Sequence, residues 1–279
     1  HGTYPPVSEL KAKLSCFRDF IAYRIVISLP RCRVKEGADR ETEELKYFHY
    51  EYTIRELENW FMEIINSYRR WADFQYEWQG LRQQSIKQLV FPFPYREGQK
   101  ELVTYVYQTI YHRKKLFIEA PTGVGKTIST VFPSIKAMGE GKGQRIFYLT
   151  AKTITRTVAN DTLELLRKQM LRLKSVTLTA KDKICFMEET ECNPVDCPYA
   201  KGHFDRINDA IYDLLIHEDN FSREKIEEYA ARHKVCPFEM SLDMSLFADM
   251  IICDYNYLFD PHVYLKRFFS EGVREDYIF

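Results

Sequence analysis

Apolar positions recur at three- and four-residue spacing through Leu57, Phe61, Ile64, Tyr68 and Trp71, which is one face of a helix. Thr53 and Glu56 stand ahead of them in capping-box order, where each side chain satisfies a free backbone N–H of the other. A second helical stretch is predicted over residues 83–89. It closes at Phe91-Pro92-Phe93-Pro94, because proline cannot donate to a helix ladder. Leu102, Val106 and Ile110 share a face of the next helix. After that the pattern alternates. Residues 115–119 and 145–149 read as short buried strands, and residues 127–138 and 153–172 as helices. Gly139, Gly141 and Gly143 mark a link, and residues 250–254 and 276–279 read as two further strands. This alternation predicts an α/β fold with a parallel sheet covered on both faces. Between the second and third strands roughly a hundred residues lack a clear strand. That is too long for a loop and predicts an inserted domain. Before residue 41 the pattern is irregular, with Pro5 and Pro6 at its start and one strand-like run at residues 21–29.

Composition narrows the class. Apolar residues make up 45% of the 279, enough for a core, which excludes disordered and collagen-like chains. Lys+Arg 40 balances Asp+Glu 40, so a nucleic-acid surface must be local rather than a property of the whole chain. No run approaches the ~18 apolar residues of a membrane span, and no signal peptide or lipidation motif appears, so a cytoplasmic setting is expected. The first methionine is Met62 and the chain stops at Phe279 inside a strand-like run, which reads as a fragment cut at both ends.

Ala120-Pro121-Thr122-Gly123-Val124-Gly125-Lys126-Thr127 fits the phosphate-binding loop, with Ala120 in the first glycine position. Its glycines let backbone N–H groups close on phosphate oxygens at a helix N-terminus. In that motif Lys126 reaches the β- and γ-phosphates and Thr127 holds Mg²⁺, so ATP and Mg²⁺ are the expected ligands.

The seven cysteines are odd in number, and no secretory signal accompanies them, so a disulfide framework is not predicted. Cys185, Cys192, Cys197 and Cys236 follow the spacing Cys-x6-Cys-x4-Cys-x38-Cys. Four thiolates suit tetrahedral Zn²⁺ or a [4Fe–4S] cluster, and the spacing alone leaves the two open. Cys192 and Cys197 lie in polar sequence, unlike Cys253, whose apolar run makes it a buried small hydrophobe. Lys181, Lys183, Lys201, His203 and Arg206, mixed with Tyr199 and Phe204, are the composition of a single-stranded nucleic-acid track.

Tyr95-Arg96-Glu97-Gly98-Gln99, the loop from Ala120 to Thr127, and Tyr148-Leu149-Thr150-Ala151-Lys152-Thr153 resemble the first three motifs of a superfamily 2 helicase. With the four-cysteine region and Ile251-Ile252-Cys253-Asp254-Tyr255-Asn256-Tyr257-Leu258, the chain resembles bacterial DinG/XPD-type DNA helicases over residues 90–279. The resemblance implies a RecA-like motor domain with an iron–sulfur domain inserted in it, and it favours [4Fe–4S] over zinc. It implies that Gln99, with Arg96, reads adenine, that Pro121 to Thr127 bind nucleotide, and that Thr150 and Lys152 touch single-stranded DNA. The implied organisation is a helical segment at 41–90, motor domain at 91–180, iron–sulfur insertion at 181–245, and motor again at 246–279. Residues 1–40 are a remnant of unclear origin. The chain stops where the family places its Walker B acid, so the expectation is weak nucleotide binding without useful hydrolysis by this piece, as a monomer. The competing reading is a non-motor, metal-pinned single-stranded nucleic-acid-binding module. A third, a P-loop NTPase acting on something other than DNA, is disfavoured by Thr150 to Thr153.

Overall fold

The computed structural model describes residues 53–279 except 122, 152, 264 and 270–275. The described residues fall in two compact units, one ending at Phe74 and the other running Gln75–Phe279. Residues 1–40, with the strand-like run at 21–29, lie outside the described residues.

Helix α1, Ile54–Gln88, starts in the first unit. The capping box forms there as its sequence predicts. Thr53 N–H donates to Glu56 Oε2 at 2.7 Å, and Glu56 N–H donates to Thr53 Oγ1 at 3.3 Å. The stretch at 83–89 is not a separate helix but the end of α1. A lone Gly80 costs a helix only about 1 kcal/mol and does not break it.

In the second unit α1 is followed by α2, Gln99–Tyr111, α3, Lys126–Gly139, β1, Arg145–Leu149, and α4, Thr153–Arg167. Then come β2, Ser175–Thr177, α5, Lys181–Ile184, α6, His203–His217, β3, Asn220–Phe221, and α7, Arg223–His233. Helix α8, Pro237–Met244, β4, Met250–Cys253, α9, Asn256–Phe259, α10, Lys266–Phe269, and β5, Tyr277–Ile278, complete it. The sheet order is β3-β2-β4-β1-β5, and every pair is parallel. Ile146 faces Met250, Thr177 faces Ile252, and Ile146 faces Ile278 across their ladders. Strand β4 is buried at all four positions, as a parallel strand between covered faces must be.

Two sequence expectations are corrected. The long strandless stretch holds two short strands, β2 and β3, and β3 lies within residues 181–245 yet forms an edge of the sheet. Three- and two-residue strands are too short to leave a periodic signal. Residues 115–119 form no strand. Leu116, Phe117 and Ile118 are 39, 94 and 45% exposed, and no ladder partner stands beside them among the described residues. Apolar β-formers make a strand only where a neighbour takes up their backbone groups.

The core joins Val131, Ile135 and Met138 of α3, Leu163 and Leu166 of α4, and Met250 and Ile252 of β4. Each such side chain contributes about 1.5–3 kcal/mol by burial. Leu214 and Leu215 of α6, Phe221 of β3, Ile226 of α7 and Met240 and Met244 of α8 are buried as well. Helix α1 is closed by a lysine from another helix. Lys136 Nζ donates to Ile86, Lys87 and Leu89 carbonyls at 2.9, 3.2 and 3.2 Å, groups that a helix end leaves without partners.

Just before the central strand β4, Asp249 is buried and gathers donors. Trp78 Nε1 at 3.3 Å, the Lys174 N–H at 2.9 Å and the Arg82 guanidinium all reach its carboxylate. Trp78 and Arg82 lie on the part of α1 in the second unit, so this carboxylate fixes α1 to the start of β4.

Candidate nucleotide site

The loop is held from behind. Gly98, at φ 69°, lets Arg96 to Gln99 turn tightly, with Gln99 N–H donating to Arg96 O at 3.1 Å. The turn aims two side chains at the phosphate loop. The Arg96 guanidinium donates to the Gly123 carbonyl, and Gln99 Nε2 donates to the Val124 carbonyl at 2.9 Å. Gln99 Oε1 accepts from Arg96 N–H at 3.1 Å. Gly125, at φ 77°, stands at the N-cap of α3 in the left-handed region that favours glycine, and a Cβ there would lie 2.7 Å from Gln99 Nε2, so that side chain would have to shift.

Lys126 opens α3 at the surface. Its Nζ donates to the Ala120 and Pro121 carbonyls at 2.8 and 3.1 Å. An open cavity of about 280 Å³ is bounded by Gly125, Lys126 and Thr127 and by Asp161 and Thr162 of α4, with Phe93, Ile128, Val158 and Leu165 making most of its wall apolar. The structure therefore brings together Arg96, Gln99, Gly123, Val124, Gly125, Lys126 and Thr127, with Pro121 at the loop's start. Thr122 lies outside the described residues. What this arrangement offers is a cation at a helix N-terminus beside Val124 and Gly125 N–H groups that make no backbone hydrogen bond among the described residues, which suits a phosphate chain.

Thr150 follows β1, is buried, and its N–H donates to the Cys253 carbonyl at 3.0 Å. Lys152 lies outside the described residues. Arg156 of α4 pairs with Asp254 at 3.3 Å and reaches the Leu178 carbonyl at 3.3 Å, joining the ends of β2 and β4. Its importance was hidden in the sequence, since an arginine in a polar helix turn carries no signal of its partner. Cys253 is wholly buried, and burial pushes its thiol up to about 12.

The four spaced cysteines sit at element ends. Cys185 ends α5, Cys236 is the N-cap of α8, Cys197 is buried and Cys192 is exposed. Met187 N–H donates to Cys185 Sγ at 3.5 Å. Burial raises the Cys236 thiol above its usual value, offset only in part by the Glu239 and Phe238 N–H groups. A hydrogen bond with Cys192 raises the Lys181 ammonium. Soft thiolate ligands with N–H donors on their sulfurs fit a zinc or iron–sulfur group by type. Among the described residues, however, no three metal-ligating side chains stand together. The predicted basic track is narrower than its sequence. His203 is buried, its Nδ1 accepting Cys236 N–H at 3.2 Å, and burial lowers its pKa. Arg206 spends its donors on the His233, Lys201 and Lys234 carbonyls. Lys183, Lys201 and Phe204 remain exposed. Among the described residues no helix is long and apolar enough to cross a membrane.

Residues 163–271 match the DEAD_2 family. The chain is 32% identical over 113 residues to a probable ATP-dependent helicase of Methanocaldococcus jannaschii, covering 40% of this chain and 17% of that protein. It is 37% identical over 49 residues to the XPD helicase subunit of general transcription and DNA repair factor IIH of Dictyostelium discoideum, covering 18% of this chain and 6% of that protein. The chain thus spans a small part of the length of either relative. A solved XPD helicase overlaps 66% of this chain and 31% of its own at 19% identity and a TM-score of 0.47, a likeness that adds nothing to the topology above. The phosphate loop lies outside the DEAD_2 match. With that loop at the head of α3 and DEAD_2 across residues 163–271, the chain carries a helicase region of the XPD/DinG type.

Proposed function

We propose that this chain is the nucleotide-gripping part of an ATP-dependent DNA helicase that moves along single strands. The observation that carries the reading is the loop itself: Gly123 and Val124 anchored through their carbonyls, Gly125 at the N-cap, and Lys126 and Thr127 opening α3 beside a cavity. Lys126 leaves the Ala120 and Pro121 carbonyls for the β- and γ-phosphates of ATP, and Thr127 takes Mg²⁺. Thr150 and Lys152, which follow β1 in sequence, are given to single-stranded DNA by the family resemblance, with Thr150 buried in the ligand-free chain. Two relatives whose names identify them as helicases support this reading.

In the same reading Cys185, Cys192, Cys197 and Cys236 hold a [4Fe–4S] cluster, with Zn²⁺ as the alternative. Such a group would cross-link the ends of α5 and α8 and so pin a region with a small core of its own. Lys183, Lys201 and Phe204 lie beside it as a short track for phosphates and bases. In this reading the protein works in the cytoplasm, and a monomer is favoured over an oligomer.

Titration with a fluorescent ATP analogue tests the nucleotide reading. The unaltered chain binds in a Mg²⁺-dependent way, and Lys126→Ala weakens binding at least about tenfold, a loss on the scale of one charge-assisted hydrogen bond. Equal affinity in the two chains refutes it. For the metal, anaerobic purification with iron, sulfide and zinc counting is decisive. About four irons are expected, lost in Cys185→Ser; one zinc and no iron would replace the cluster by zinc.

A further inference from the structure

Cys236 stands at the N-cap of α8, with Pro237 at the first helical position. An N–H at that point lies ahead of the helix ladder and needs a partner from elsewhere. The partner is a ring. Cys236 N–H donates to His203 Nδ1 at 3.2 Å, and His203 is 5% exposed.

That bond decides what the imidazole can do. A ring nitrogen that accepts a hydrogen bond must offer a lone pair, so Nδ1 is bare and the proton sits on Nε2. Nδ1 is then spent on the backbone, and Nε2 has no lone pair to give to a metal. What His203 does fix is the Cys236 backbone. A peptide unit is planar, so holding the Cys236 N–H holds the whole plane between Val235 and Cys236. From the other side, Pro237 confines Cys236 to the extended region, where it stands at φ −67° and ψ 119°. With both sides held, the direction of the Cys236 Cα–Cβ bond is held as well.

His203 is placed in turn by the chain that follows Cys197. Ala200 and Lys201 N–H groups both donate to the Cys197 carbonyl at 3.1 Å, and His203 N–H donates to the Ala200 carbonyl at 3.2 Å. Gly202, at φ 68°, turns this loop into α6. One helical turn further, Arg206 fastens the same two stretches. It reaches the Lys201 carbonyl at 2.7 Å on one side and the His233 and Lys234 carbonyls at 3.0 and 2.6 Å on the other. The head of α6 thus ties the loop after Cys197 to the start of α8 with the chain's own hydrogen bonds. Cys192, by contrast, is exposed on a stretch without helix or strand.

We propose that His203 is a positioning residue for the metal group of the four cysteines: it sets the direction of Cys236 before metal arrives and is not itself a ligand. The proposal rests on the reading that these cysteines hold a metal group, and deepens it. Residues that orient ligands in this way typically carry 10–100-fold in metal affinity.

Two measurements on the whole chain test it, each with His203→Leu and His203→Asn. Leucine fills the space without an acceptor. Asparagine puts its Oδ1 about where the imidazole Nδ1 stands. In the reduced, metal-free chain, amide exchange at Cys236 is expected to be about tenfold faster in His203→Leu, the scale of one lost hydrogen bond, and near the parent rate in His203→Asn. Residues 226–230 of α7 serve as reference. Unchanged exchange in His203→Leu overturns the proposal and leaves the metal reading standing. In the second, chains reconstituted anaerobically with iron and sulfide, or with Zn²⁺, are challenged with a competing chelator. The chelator concentration that strips half the metal is expected to fall about 10–100-fold in His203→Leu and to stay within about twofold in His203→Asn. Equal retention by the parent and His203→Leu sinks the proposal. Equal loss by the leucine and asparagine variants makes the ring itself the requirement and sinks it too. A parent chain that takes up no metal overturns the metal reading, and the proposal with it. Should His203→Leu speed exchange at residues 226–230 as well, His203→Phe, which keeps a ring without an acceptor, takes its place with the same outcomes.

Discussion

Lys174 is the most demanding side chain in the core. It is 1% exposed, and its Nζ donates to the Leu215 and Glu218 carbonyls at 2.7 and 2.8 Å and to Asp219 Oδ1 at 3.1 Å. The ammonium thereby caps the C-terminal end of α6, where unpaired carbonyls and the helix dipole favour a cation. Its Nζ also lies 4.0 Å from the centre of the Trp78 ring. Lys174→Met keeps the stem and removes the donors. Asp219 retains Arg172 at 2.9 Å, so the principal loss is at the two carbonyls, each costing about 1–3 kcal/mol when orphaned. Relief of the ammonium's burial penalty offsets part of this, leaving about 2–4 kcal/mol of destabilisation. Urea unfolding followed by Trp78 fluorescence, in a Trp60→Phe, Trp71→Phe background, reads it as a lower midpoint at unchanged slope. The pH dependence gives an independent sign. Burial lowers the Lys174 pKa in the fold, so between that value and the usual lysine value the unfolded chain binds more protons. Stability from this group therefore rises with pH through that window, and the rise is absent in Lys174→Met. An unfolding free energy within about 0.5 kcal/mol of the parent would refute the reasoning and class the lysine with buried ions that apolar side chains replace without loss.

Lys136→Ala uncaps α1 at three carbonyls and is expected to cost about 1–2 kcal/mol in the same melt. Cys253→Ser places a hydroxyl in a fully buried strand and is expected to cost about 1–3 kcal/mol, well beyond Cys253→Ala. In the folded, metal-free chain, alkylation near pH 8 read by mass spectrometry labels exposed Cys192 long before Cys253, whose thiol burial holds at about 12. Asp213 is pushed up by burial but pulled further down by His233 and Arg232, so its carboxylate lies below the usual value. Its contribution is present above the usual carboxylate range and fades as pH falls through the lowered one. Asp213→Asn flattens that acid limb in a pH series of melts.

The sequence by itself determined what is local. The capping box at Thr53 and Glu56, the phosphate loop at the head of a helix, and the strand at 145–149 each depend on spacing within a few residues, and the chain carries that spacing explicitly. The parallel α/β class followed from the same alternation. Only the tertiary structure decided which apolar run finds a ladder. Residues 115–119 have the composition of a strand and form none, while Ser175–Thr177 and Asn220–Phe221 pair because neighbouring strands reach them. It also decided the fate of charge. Nothing near Lys174 in the sequence says that it is buried, because its acceptors are the end of α6 and Asp219. Gln99 shows the same division at the candidate site. Its place in a motif is legible from residue order, whereas its partner, the Val124 carbonyl, is known only once the turn at Gly98 brings the two together. Backbone hydrogen bonds between neighbours are written in residue order, but burial and long-range pairing depend on which surfaces the folded chain brings into contact.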